Sequence, residues 1–300
     1  MICFSRLGYL GQLGNQLFQV AATLAAAQRF STEALFPQWR YAQFFRQSFK
    51  QSLEPSNIAH TYFEPRAQFT TIPQSDNLDL FGFFQSHLYF RDSESLIRHS
   101  FGFVDNLLPP GWADKRADCA IHIRRGDYLN RSFEFVPLDI EYYRAAIAIM
   151  QHRGCKSFLV FSDDPSWAKS QLGNTGEFVE GLDEIQSLCL MSRCANFIIA
   201  NSTFSWWGSW LCDNPKKHVI APQTWYGFRK SLRKDESYQF CPTWQLLENR
   251  IDLGAQVLSL LRSADKGHYL RSYLNRKKWL EEEYAANIKR LAADPQLAAQ

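Results

Sequence analysis

From residue 119 to residue 221 the chain alternates short apolar runs with amphipathic stretches of helical length. The apolar runs Cys119–Arg124, Phe158–Ser162, Glu177–Glu180, Phe197–Ala200 and His218–Ala221 read as strands. Between them, helical patterns fall near Asp139–Gln151, Pro165–Leu172, Asp183–Cys194 and Thr203–Cys212. Strands that alternate with helices predict an α/β fold with a five-stranded, doubly wound parallel sheet. The amino-terminal part opens in a similar way. Ile2–Arg6 reads as a strand, Gly8, Gly11 and Gly14 as a turn, and Asn15 to about Phe30 as an alanine-rich helix with Leu17, Val20, Ala21 and Leu24 on one face. Thr32–Phe36 and Asn77–Phe84 read as further strands, and Gln85–Ser100 as a helix with Leu88, Tyr89, Leu96 and Ile97 towards a core. Residues 39–75 are aromatic-rich and show no period.

Leu107-Leu108-Pro109-Pro110-Gly111 continues neither a helix nor a central strand, which predicts a boundary there. The expected organisation is an amino-terminal Rossmann-like domain over residues 1–110, a second over 111–240, and a helical segment over 241–300. In that last segment Arg271–Ala293 patterns as a charged amphipathic helix.

Composition narrows the function classes. A chain of 300 residues that is 46% hydrophobic carries enough apolar surface for one large or two medium domains. A net charge of +3 gives no whole-protein field suited to nucleic acid. The seven cysteines are odd in number and lack zinc-type spacing, so they read as small core residues. No window is long enough to span a membrane and the start lacks the long apolar region of a signal peptide, so the expectation is a cytoplasmic protein with at most peripheral membrane contact.

The chemistry gathers where strands end. Cys119–Tyr128 begins as a buried strand and runs into Arg124, Arg125 and Asp127. In open parallel sheets that carboxyl edge is where ligands bind. Arginine grips two oxygens of a phosphate at once, so the pair points to a phosphorylated ligand. His122 lies on the same strand; Asp163 and Asp164 end the next; Asn201, Ser202, Thr203, Phe204 and Ser205 pass from a later strand into its helix. Singly, Ser202 or Thr203 is an ordinary helix cap. Beside two arginines, the helix start becomes a second anion-binding element for a diphosphate. The chain contains no Asp-x-Asp, so side chains and helix dipoles, without a metal, are expected to neutralise that diphosphate. Trp206, Trp207 and Trp210 fall on a helix and read as core, with Gly208 allowing close approach.

His122-Ile-Arg-Arg-Gly-Asp-Tyr128 resembles the H-x-R-R-G-D-Y motif of the α-1,2-fucosyltransferases of glycosyltransferase family 11. Gly11-Gln-Leu-Gly14-Asn15-Gln-Leu-Phe-Gln19, Gly82-Phe-Phe-Gln85, Phe161-Ser-Asp163-Asp164 and Ile198 to Gly208 resemble that family's other segments, in the same order. The resemblance implies two Rossmann-like domains facing a cleft in a GT-B arrangement. It also implies GDP-fucose as donor, no cofactor or metal, and inverting transfer to a galactose hydroxyl of a glycan acceptor. Arg124, Arg125, Asp127 and His122 are the expected catalytic residues. Gly11, Gly14, Asn15, Asp163, Asp164 and the 201–205 stretch are expected at the donor. The departures are Gln12, where a glycine is common, and Ser187, where many members carry an aspartate. Related fucosyltransferases use such an acid near guanine, so Asp183 or Glu184, one turn earlier, is the expected substitute. Asp127, His122 or a residue of the amino-terminal domain would accept the proton from the acceptor hydroxyl. Two rival readings remain: a sugar-binding adhesive protein, from Arg125-Gly126-Asp127 and the tryptophans, and a nicotinamide-dependent dehydrogenase, from the glycine-rich turn.

Overall fold

The computed structural model describes residues 1–51, 58–65, 69–132, 134–227 and 235–249. The sequence-predicted helix Arg271–Ala293 lies outside them. The described residues fall within one compact unit, Met1–Ile251, built on two parallel sheets.

The first sheet has strands β1 (Ile2–Cys3), β2 (Ala34–Leu35), β3 (His60–Phe63) and β4 (Leu78–Phe81), in the order β2-β1-β4-β3. Its long helix α1 (Leu13–Arg29) follows the glycine turn. Strand β3 comes from the stretch in which no element was predicted. Its side chains are exposed or half-buried, so it carries no apolar run to read. The single helix expected over Gln85–Ser100 is broken. Two 3-10 turns, His87–Tyr89 and Arg91–Ser93, precede α2 (Glu94–Ser100). The cause lies upstream: Phe84 is buried with a left-handed φ of 52°, and Ser86 caps the first turn by accepting from Leu88 N. Tyr89 and Ile97 are buried as expected, while Leu88 and Leu96 are half-buried.

After a short helix α3 (Pro110–Ala113), the second sheet runs through β5 (Cys119–Ile123), β6 (Phe158–Ser162), β7 (Glu177–Phe178), β8 (Asn196–Ile198) and β9 (Val219–Pro222). The expected count of five is one short. Gln245–Leu247 forms β10, parallel to β9, and gives a six-stranded sheet of order β10-β9-β8-β5-β6-β7. Three residues, none fully buried, pair only through the backbone at the sheet edge, which leaves no pattern in the sequence. The helices are α4 (Gly126–Leu129), α5 (Ile140–His152), α6 (Pro165–Leu172), α7 (Glu184–Ser192) and α8 (Thr203–Leu211).

One continuous core joins elements of both sheets. Phe18 of α1 lies 4.6 Å from Trp206 and 4.9 Å from Trp207 of α8, and Phe90 stacks on Trp207 at 5.5 Å. The tryptophans are thus core residues, as their helical placement predicts. A β-carbon at Gly208 would lie 2.3 Å from Met191 Sδ, which shows how closely α7 and α8 approach.

Candidate functional site

Strand β5 sits between β8 and β6. The chain leaves β5 towards β6 and β7, then returns to β8 on the opposite side. The carboxyl ends of β5 and β8 therefore flank a topological switch point, where open α/β sheets bind ligands. Arg124 and Arg125 leave one side of that crevice and Asn201–Thr203 the other. Tyr128 O–H spans it, donating to the Asn201 carbonyl at 3.0 Å. The first sheet has its own switch at β1, between β2 and β4.

The turn after β5 is pinned by Asp163. Its carboxylate accepts from Arg125 N at 2.8 Å and Gly126 N at 3.1 Å, and lies 3.3 Å from Arg124 Nε. Arg124 also pairs with Asp127 at 2.8 Å. Arg125 Cζ lies over Trp167, 4.4 Å from its ring centroid, with Nε 3.8 Å from Asp164. That Nε is buried and makes no hydrogen bond. The guanidinium, about a quarter exposed with Asp164 as its one neighbouring carboxylate, fits an anionic ligand in a strand-end crevice. Asp164 caps α6 by accepting from Trp167 N. Asp163 and Asp164 thus shape and charge-balance the arginine turn.

His122 is buried at 6% exposure, with its ring 5.2 Å from Phe204. Burial, reinforced by the neighbouring Arg124 charge, lowers its pKa to about 3, so the imidazole is neutral at physiological pH. On the other flank, Asn201 is a scaffold residue. Its amide donates to the carbonyls of Val136 at 2.9 Å and Trp225 at 2.8 Å. Ser202 caps α8 by accepting from Phe204 N, and the buried Ser205 hydroxyl bonds back to the Ala200 and Ser202 carbonyls.

The amino termini of α1 and α8 meet. A β-carbon at Gly14 would lie 2.6 Å from Thr203 Oγ1 and 2.7 Å from Phe204 N, so only glycine permits this approach. Asn15 Oδ1 accepts from Thr203 Oγ1 at 3.1 Å. The two positive helix ends therefore converge on the crevice edge. Gly11, Gly14, Asn15, Thr203 and Phe204, far apart in sequence, are brought together here.

Asp183 and Glu184 lie at the start of α7, after the edge strand β7. Asp183 Oδ1 is held in a capping box with Gln186, and Glu184 pairs with Arg40 at 2.5 Å and with Tyr41.

Two polar residues at this edge are absent from the sequence-predicted set. Gln85, which follows β4, donates to Asn15 Oδ1 at 2.6 Å. Glu64, just past β3, accepts from Phe83 N at 2.7 Å and Phe84 N at 2.9 Å. Gln85 had a signal in the Gly82-Phe-Phe-Gln85 segment; Glu64 follows a strand that the pattern did not reveal. Among the described residues, no group of three His, Cys, Asp or Glu is placed to hold a metal ion, and no helix is long and apolar enough to cross a membrane.

The chain is 39% identical over 130 residues to the O-antigen biosynthesis glycosyltransferase WbnK of Escherichia coli, covering 40% of this chain and 43% of that protein. It is 32% identical over 187 residues to an alpha-1,2-colitosyltransferase of Escherichia coli, covering 57% and 63% respectively. The chain thus matches less than two thirds of the length of either. A galactoside 2-alpha-L-fucosyltransferase of Caenorhabditis elegans is 25% identical over 280 residues, covering 78% of this chain and 76% of that protein. The family model for glycosyl transferase family 11 matches residues 56–248, a span that takes in both the arginine turn and the start of α8, and the chain belongs to that family.

Proposed function

We propose that this protein transfers L-fucose from GDP-fucose to the 2-hydroxyl of a galactoside acceptor, with inversion and without a metal, in glycan or surface polysaccharide synthesis. The observation that carries this reading is the convergence of Arg124, Arg125 and two helix amino termini on one switch-point crevice in a family 11 chain. The second sheet is the donor half of a GT-B arrangement and the first sheet the acceptor half.

Breaking the fucose–phosphate bond builds oxocarbenium character on the sugar and negative charge on the departing phosphate. Arg124, Arg125 and the Ser202–Thr203 helix start stabilise that charge; one preorganised donor contributes about 3 kcal/mol. Inversion requires the base on the sugar face opposite the phosphate. Asp127 is 2.8 Å from Arg124, which puts it on the leaving-group side, where it orients the guanidinium. His122 is buried and its lowered pKa makes it a poor base at neutral pH. The remaining candidate class, a residue of the first sheet, is met by Glu64 at the carboxyl end of β3. Glu64→Gln keeps an oxygen for Phe83 N and Phe84 N and removes the basic carboxylate, so loss of turnover with an unchanged melting temperature supports the assignment. Guanine selection is assigned to Asp183 or Glu184 in place of Ser187. Unchanged donor affinity in both alanine variants removes that assignment.

Incubation with GDP-fucose and a panel of galactosides, followed by NMR of the product, tests the reaction. An α-1,2 linkage supports it, and another linkage or no transfer rejects it. Because one relative is a colitosyltransferase, the panel includes GDP-colitose; preference for it would reassign the donor sugar alone. Full activity in excess EDTA is expected, and collapse there would reveal a required metal.

A further inference from the structure

Gln85 occupies the centre of a directional hydrogen-bond chain where the two sheets meet. Tyr226 O–H donates to Gln85 Oε1 at 3.2 Å. Gln85 Nε2 donates to Asn15 Oδ1 at 2.6 Å, and Thr203 Oγ1 donates to the same oxygen at 3.1 Å. The Gln85 carbonyl accepts from Gln239 Nε2 at 2.9 Å, which fixes the backbone as well. The four side chains come from the loops after β4 and β9 and from the starts of α1 and α8, so the chain crosses both switch points.

The hydrogen bonds give this chain one polarity. Tyr226 is fully enclosed, and its O–H donates to Gln85 Oε1. With Oε1 engaged by Tyr226, Gln85 presents Nε2 to Asn15. With two donors aimed at Oδ1, the Asn15 amide has one orientation, and Nδ2 projects away from Gln85 and Thr203. A β-carbon at Gly11 would lie 2.1 Å from that nitrogen, so the amide rests directly over the glycine turn. Among the described residues Nδ2 donates to no acceptor.

We propose that Gln85, with Tyr226 behind it, is a positioning residue that locks the Asn15 amide with its NH₂ group towards the bound sugar nucleotide, where it donates to a diphosphate oxygen. The inference rests on the donor reading above. If the amide were reversed, Oδ1 would face the diphosphate, and a donor would become a lone-pair repulsion at the same site. The Gly82-Phe-Phe-Gln85 segment thereby acquires a role.

Gln85→Glu tests the idea while preserving size. The glutamate still accepts from Tyr226 but turns a second acceptor towards Asn15, so the Asn15 amide reverses and the network stays satisfied. Misplacement of one group on this scale costs about a hundredfold. The expected result is a loss of that order in kcat/KM for GDP-fucose, with the melting temperature retained and the Asn15 side-chain amide resonances shifted in ¹⁵N-edited NMR. Asn15→Ala should cost about the same, and the double variant no more than either single one, because both act through one hydrogen bond. Repulsion of the nucleotide by the new charge, acting alone, would instead add to the Asn15→Ala loss. Gln85→Leu, which carries no charge, should follow the same non-additive pattern. Additive losses, or near-normal kcat/KM in Gln85→Glu, overturn the proposal. If the wild type turns over no sugar nucleotide, the donor reading fails; the NMR comparison still decides whether Gln85 sets the amide, and unmoved Asn15 resonances refute it.

Discussion

Arg124 and Arg125 are neighbours in sequence but are held differently. Arg124 is fastened by two carboxylates, Asp127 and Asp163, whereas Arg125 lies over Trp167 with one more distant carboxylate, Asp164, and a Nε that makes no hydrogen bond. Arg125 is therefore the less committed of the two, and Arg125→Ala should lose about a thousandfold in transfer rate, with Arg124→Ala losing less. Lysine should not restore Arg125, since a point charge reproduces neither the fork nor the stacking. Steady-state rates near wild type in both alanine variants would reject a diphosphate site at this turn. His122 gives a pH prediction. Its folded pKa of about 3 lies below the ordinary 6.5, so the unfolded chain binds this proton more readily than the folded one. The contribution to stability is complete above about pH 6.5 and is lost as pH falls towards 3. His122→Leu should flatten the decline of melting temperature between pH 7 and pH 4. An unchanged slope would show that the imidazole is protonated without cost. The sequence revealed the arginines because they interrupt an apolar run. It could not reveal that Asp163 and Asp164 hold this turn and cap α6, because acids beside a strand end look the same whether they meet a ligand or a backbone N–H.

The packing of α1 on α8 places the site, and two glycines permit it in different ways. At Gly14 an added β-carbon meets the backbone of Thr203 and Phe204; at Gly208 it meets the flexible Met191 side chain. Backbone cannot step aside as a thioether can. Gly14→Ala should therefore destabilise by about 1–3 kcal/mol through overpacking, and Gly208→Ala by less. Urea titrations of both variants check the order, and the reverse order would contradict the described contact. The β/α alternation after residue 119 was legible because β5, β6 and β9 are buried on both faces and the helices carry their own caps, such as Asp139 and Asp183. Strand β7 has no fully buried position either and was legible only from its place between two helical patterns; β3 and β10 lack both signals, and the break at Phe84 depends on a backbone angle that no side-chain pattern encodes.

Across the molecule, both sheets turn their switch points towards one another, and the Asn15–Gln85–Thr203–Tyr226 chain ties them. Sequence motifs supplied Asn15, Gln85 and Thr203 but neither Tyr226 nor the geometry, since α1 and α8 are separated by more than half of the chain. The central claim is that this junction holds a guanosine diphosphate sugar. The most direct measurement is a thermal-shift titration of the full chain with GDP, GDP-fucose, ADP, UDP and NAD. A ligand present at a hundred times its Kd stabilises by about 2.7 kcal/mol, a shift of several degrees. That shift is expected for GDP and GDP-fucose, with its loss in Arg125→Ala and none of comparable size for the others. Equal stabilisation by ADP, stabilisation by NAD without GDP, or a GDP shift that survives Arg125→Ala would contradict the claim.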